Sequence, residues 1–224
     1  MIQSCNALAA YCANNGFTRS SQFQVGSFDL PNGSINVING IKNTEAEALA
    51  TAAQLSKYAQ GAKVHGIYNR SNTVFVDVLE CIAGHAGFHT PPVQLLKDQW
   101  AREIAIYGPE AKIFQRCHSG GADHVKNALL SSPESVRQQI IVLALAPSVI
   151  IPRKLCFESY NYVSRNDFVT YLDLMGQLNH GDELTVLDPH PSANLWDHGI
   201  SSPTFEAPLQ LRINEYLKNY GGKK

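Results

Sequence analysis

This sequence predicts an α/β fold built on a mostly parallel sheet, and three observations carry the prediction. From about residue 34 to the end, apolar strand-like runs alternate with segments whose apolar residues recur at helical spacing. The run Ile140 to Ala146 is apolar without a break, as in a strand covered on both faces. The stretch Ala111 to His118 leads through Ser119-Gly120-Gly121 into a helical pattern, so a sharp strand-to-helix turn is expected there.

The elements follow in order. Ala7 to Ala13 reads as a short helix, and Phe23 to Leu30 as a strand closed by the turn residues Pro31-Asn32-Gly33. Ser34 to Ile41 is the next strand. Thr44 and Glu47 stand at capping-box spacing, Ala48, Ala52, Leu55 and Ala59 trace one helix face, and Gly61 is the expected stop. Lys63 to Tyr68 is a further strand. Helices are predicted around Val74 to Ile82 and from Pro92 onward, where Val93, Leu96, Trp100 and Ile104 keep helical spacing. Between them, Ala83 to Pro91 has the composition of a mobile loop. Ala122, Val125 and Leu129 mark the helix after the serine turn. Cys156 to Val163 and Glu183 to Leu187 complete the strands, and Leu209 to Tyr220 forms a last helix that stops at Gly221.

With 224 residues the chain fits one domain, residues 1–224, in which 1–33 is an N-terminal extension. Lys and Arg number 18 against 19 Asp and Glu, a net charge of -1, and the longest basic run is Lys223-Lys224. Nucleic acid is therefore not an expected partner. The five cysteines (Cys5, Cys12, Cys81, Cys117, Cys156) form no C-x-x-C pair, which points to reduced thiols rather than a disulfide framework or a zinc site. His180, His190 and His198 lack the short spacing of metal-ligand pairs, so neither metal nor cofactor is expected. No apolar stretch reaches transmembrane length, and the first residues lack the basic region and apolar core of a signal peptide. The expected address is cytoplasmic by default, and export would need a non-classical route.

The chemistry centres on Cys117-His118-Ser119-Gly120-Gly121. A serine on a tight turn between strand and helix has its hydroxyl lifted clear of the backbone, provided that the residues two before and two after are small. Gly121 meets that condition fully and Cys117 approximately. A serine needs a base, an acid to orient it and donors for the oxyanion. Asp167 follows the strand ending at Val163, and His198 lies in the loop after Leu187. Both thus stand at C-terminal strand ends, the edge where ligands gather in open α/β sheets. Asp167 is also placed to cap a helix beginning near Phe168, with Asp173, Asp182 and Asp188 as alternative acids. His190 and His180 are the alternative bases. His118 reads as a packing residue beneath the turn.

The order Ser119, Asp167, His198 resembles that of the α/β-hydrolases. Asn39-Gly40-Ile41, Cys117-His118-Ser119-Gly120-Gly121-Ala122, Ser164-Arg165-Asn166-Asp167 and Asp197-His198-Gly199 together make residues 34 to 220 similar to a small lipase/esterase-like member of that superfamily. Their wording also resembles that of uncharacterised chlamydial hydrolase-like proteins. Cys117 departs from the family, which has glycine there. The resemblance implies a three-layer fold and a serine esterase in which Ser119 attacks, His198 moves the proton and Asp167 holds the imidazole. It also implies an oxyanion hole from the Gly120 N–H and a second N–H, from Ile41 or, in His65-Gly66-Ile67, from Ile67. The implied substrate is an acyl-lipid or small apolar ester, with a thioester open to the same machinery. The alternative is a catalytically inactive scaffold that binds a ligand or a protein.

Overall fold

The computed structural model describes residues 20–41, 43–69 and 90–222. Their strands form a seven-stranded sheet: β1 (Ser21–Val25), β2 (Gly33–Ile38), β3 (Val64–Tyr68), β4 (Lys112–His118), β5 (Ile140–Leu145), β6 (Glu158–Ser164) and β7 (Leu184–Leu187). The spatial order is β1-β3-β2-β4-β5-β6-β7; β1 runs antiparallel to β3, and every other pairing is parallel. The helices are α1 (Glu45–Tyr58), α2 (Pro91–Tyr107), α3 (Gly121–Leu130), the short α4 (Glu134–Arg137), α5 (Leu174–His180) and α6 (Glu206–Asn219).

Parallel strands need crossover helices, and these cover both faces of the sheet. On one face Ala52 and Leu55 of α1 and Leu209 and Ile213 of α6 pack on Ile35, Phe114 and Leu143. On the other, Leu96 and Trp100 of α2 and Val125 and Leu129 of α3 pack on Ile113, Cys117 and Val142. β5 is buried at every position, as its unbroken apolar run requires. Truncating one of its isoleucines to alanine would cost about 2–5 kcal/mol through lost burial and the cavity left behind. None of the described helices is long and apolar enough to cross a membrane.

Several boundaries differ from the sequence reading. The N-terminal strand ends at Val25, not Leu30, and the chain returns to the sheet only through the single bridge Phe28–Ala62. β2 ends at Ile38 because Asn39 turns its side chain to the work of the ladder, its Oδ1 accepting from the Asn69 N–H at 2.8 Å. The capping box forms as expected, with the Thr44 hydroxyl accepting from Glu47 N and the Glu47 carboxylate from Thr44 N. The left-handed residue that ends α1 is Gln60 (φ 59°), one place before Gly61. Gln60 N bonds Lys57 O and Gly61 N bonds Ser56 O, a Schellman closure. No helix starts at Phe168; a single 3₁₀ turn, Thr170–Leu172, precedes α5, whose cap is Asp173. β6 begins at Glu158, since Arg153–Leu155 forms a 3₁₀ turn before it. The helices expected at Ala7 to Ala13 and Val74 to Ile82, and the loop from Ala83 to 89, lie outside the described residues.

Candidate active site

The strands β2 to β7 all point their C-terminal ends to one edge, and the order reverses between β2 and β4. Such a reversal is where open α/β sheets hold their ligands. Ser119 stands at it, immediately after β4, with φ 50°. A left-handed conformation costs a non-glycine residue on the order of 1 kcal/mol or more, so it persists only where the surroundings enforce it. Here they do. The Ser119 N–H donates to Leu145 O at 3.3 Å, and its carbonyl accepts from Ala122 N, Ser148 N and the Ser148 hydroxyl at 2.9, 3.2 and 2.9 Å.

Two glycines let the backbones close around this turn. A Cβ on Gly40 would lie 2.7 Å from the Ser119 Cβ, and one on Gly121 would lie 2.9 Å from Asn39 O. Gly121 is thus demanded by the backbone leaving β2. Cys117 is fully buried in the cluster with Ile38, Ala122 and Val142. Burial pushes its thiol pKa well above the ordinary value, so at neutral pH it is a neutral packing group.

Ser119, His198 and Asp167 form one hydrogen-bonded chain. His198 Nε2 lies 2.8 Å from the Ser119 hydroxyl and Nδ1 lies 2.7 Å from Asp167 Oδ2. With the imidazole neutral and Nδ1–H donating to the carboxylate, Nε2 is the acceptor that faces the serine. Asp167 is entirely buried, its other oxygen accepting from Val169 N at 2.9 Å, while the His198 side chain remains 26% exposed and Ser119 7%.

The loop that carries His198 is itself tied down. Asp197, fully buried at φ 43°, receives hydrogen bonds from Ser202 and, at 2.6 Å, Thr204, and its N–H bonds Asn194 Oδ1 at 2.7 Å. From below, His118 Nε2 donates to the His198 carbonyl at 2.8 Å, and Arg116 Nη2 to the Ile200 carbonyl at 3.1 Å. His118 therefore does more than pack. Asp197 stood in the quoted Asp197-His198-Gly199 motif with no role of its own, and Arg116 was given none; the one signal for Arg116 was a charged residue inside an otherwise buried strand.

Ile41 and Gly120 come together beside Ser119: a Cβ on Gly120 would lie 3.7 Å from Ile41 N and 2.9 Å from its Cγ1. Neither N–H has an acceptor among the described residues. Ile67 is elsewhere, buried within β3 and paired with Ile38 and Gln22. The alternative acids and bases are also apart from the serine. His190 is exposed and its Nδ1 accepts from Ser192 N; His180 lies 3.3 Å from Glu183. Asp173 caps α5 and accepts from Ile150 N, Asp188 pairs with Arg165, and Asp182 sits in a 3₁₀ turn. Among the described residues no three His, Cys, Asp or Glu side chains gather as a metal ion would need.

No protein-family model matches the chain, and no curated protein matches it in sequence. Solved structures do. A Bacillus cereus carboxylesterase superposes with a TM-score of 0.53 at 11% identity, over 94% of this chain and 98% of its own. A poly(3-hydroxybutyrate) depolymerase from Bordetella parapertussis gives 0.55 at 10% identity over 95% and 88%. Carboxyl esterase 2 from Tuber melanosporum gives 0.54 at 10% identity over 89% and 81%. With its mostly parallel seven-stranded sheet and helices on both faces, the chain has the fold of the α/β-hydrolase esterases.

Proposed function

We propose that this protein is a serine hydrolase that cleaves carboxylic esters through an acyl-enzyme. The observation that carries the reading is the continuous chain from the Ser119 hydroxyl through His198 to the buried Asp167, with the serine on a left-handed turn. Ser119 Oγ attacks the acyl carbon while its proton passes to His198 Nε2. The carbonyl oxygen becomes an oxyanion, for which the N–H groups of Ile41 and Gly120 are the donors. As the bond to the alkoxy oxygen breaks, the proton moves from Nε2 to the leaving alcohol. Water then repeats the sequence, giving up a proton to His198, releasing the acid and returning the proton to Ser119. Asp167 stabilises the transient imidazolium and keeps the Nδ1–H tautomer throughout.

An apolar ester, such as an acyl-lipid or a small acyl ester, suits the rim. Phe168 follows Asp167 and Trp196 precedes His198 by two places; their rings pack edge to face at 5.4 Å, and both remain more than half exposed. The esterase and depolymerase names carried by proteins of the same fold support an ester over a thioester. Hydrolysis of p-nitrophenyl esters of graded acyl length tests the reading. Ser119→Ala and His198→Ala should each lower kcat by roughly a thousandfold or more, and His190→Ala should leave it near wild type. Turnover that survives in pure Ser119→Ala refutes the proposal.

A further inference from the structure

Two polar side chains of β4 that the proposed reaction does not use, Arg116 and His118, end on the loop that carries His198. Residues two apart on a strand point to one face, so Arg116 and His118 share the face on which Phe114 packs against α1 and α6. His118 reaches the carbonyl of residue 198, and Arg116 that of residue 200. Two donors spaced by two on the strand thus meet two acceptors spaced by two on the loop, in antiparallel sense.

These contacts are made at a cost that packing alone would not justify. Both side chains are at most 3% exposed, and Arg116 Nε and Nη1 and His118 Nδ1 have no partner among the described residues. The space beside Arg116 is lined mostly by apolar side chains, among them Val37, Ile38, Ala48 and Ile200, with Asn39 and Thr51 as its uncharged polar members. An isolated buried cation is expensive, and an apolar residue of similar volume fills such a site more cheaply. Burial lowers the guanidinium pKa to about 10, so it stays charged at neutral pH and its bond to the Ile200 carbonyl is charge-assisted. Burial lowers the His118 pKa as well, leaving a neutral ring. A carbonyl can only accept, which puts the single ring proton of His118 on Nε2.

We propose that Arg116 and His118 are positioning residues for the reaction: their grip on the carbonyls of His198 and Ile200 fixes the His198 imidazole between Ser119 and Asp167. The inference rests on reading those three residues as the catalytic set. A displacement of about 1 Å at a reacting group lowers rate by up to about a hundredfold. Loss of either grip therefore acts on kcat and leaves KM alone.

The test compares amides of different reach. Glutamine at 118 can set its Nε2 near the place of the imidazole Nε2, whereas asparagine falls short of the His198 carbonyl. With p-nitrophenyl butyrate, His118→Gln should keep kcat within about fivefold of wild type, and His118→Asn should lose about tenfold to a hundredfold with KM within twofold. Arg116→Met, which keeps length and removes the donors, should behave like His118→Asn. Phosphonylation of Ser119 by a fluorophosphonate, which forms an O–P bond, releases fluoride and needs His198 to take the serine proton, should slow in parallel. If Gln and Asn at 118 give the same kcat, or if losses in all variants fall on KM or follow thermal stability alone, the positioning role is wrong. Ser119→Ala measured alongside separates the failures: turnover that persists there refutes the catalytic set itself, and turnover that needs Ser119 but ignores residue 118 refutes only the grip.

Discussion

Asp167 has no exposed surface, and its two oxygens face different partners: one the Val169 N–H, the other His198 Nδ1. The first contact is the local turn that the sequence allows for any aspartate, and the second depends on a residue 31 places away. Asp167→Asn separates them. The amide still accepts from Val169, but its NH₂ facing Nδ1 would favour the tautomer that puts a proton on Nε2, where the serine needs an acceptor. A fall in kcat of up to about ten-thousandfold with little loss of stability is expected, read from ester turnover beside a thermal melt. An unchanged rate would return Asp167 to a capping role. Cys117 illustrates the opposite lesson at this scale. As a departure from glycine it stood out in the sequence, yet it is fully buried in the core, and the close backbone approaches fall at Gly121 and Gly40 instead.

Among the elements, β4, β5, α3 and α6 were legible because burial on both faces, or helical spacing of apolar residues, leaves a periodic mark. The short pieces were not. α4 and α5 span 4 and 7 residues, too few turns for a period to show, and α5 is tied in by its cap Asp173, which accepts locally from Gly176 N and at a distance from Ile150 N. The pair Arg116 and His118 escaped for a different reason: each meets a backbone carbonyl, at a separation of 84 or 80 residues, and a carbonyl has no residue type to recognise. The helix behind Ser119 carries a testable pH dependence. Asp123 in the first turn of α3 accepts from Ser148, whose hydroxyl also reaches the Ser119 carbonyl, and burial raises the carboxyl from its ordinary 3.8 to about 6. Folded protein therefore holds this proton where unfolded chain has released it. Stability from this group is fully present below about pH 4 and is lost as pH rises through about 6, an amount of roughly 3 kcal/mol. Asp123→Asn keeps an acceptor and cannot ionise. In urea unfolding at pH 4.5 and 7.5, the variant should gain on wild type at the higher pH. Taking this difference isolates Asp123 from buried His118 and His124, whose lowered pKa values act in the opposite sense. An equal gap between variant and wild type at both pH values would contradict it.

At the scale of the molecule, the site follows from topology. β2 sits between β3 and β4, so the chain winds outward in both directions from that point, and the loops after β2, β4, β6 and β7 bring Ile41, Ser119, Asp167 and His198 to the C-terminal sheet edge. The order of these residues along the sequence could be read in advance. Their meeting could not, because it depends on which strands are neighbours, and strand order leaves no local trace. The same edge bears exposed Phe168 next to Asp167 and Trp196 two places before His198, the apolar surface on which the acyl group of the proposed ester would lie. The central claim is that Ser119 is the nucleophile, and covalent capture tests it most directly. Wild-type protein treated with an alkyl fluorophosphonate should gain one phosphonyl adduct by intact mass, mapping by peptide fragmentation to Ser119, with capture abolished in Ser119→Ala and strongly slowed in His198→Ala. An unmodified Ser119 under conditions that label a known serine esterase, or an adduct on another residue, would contradict the account.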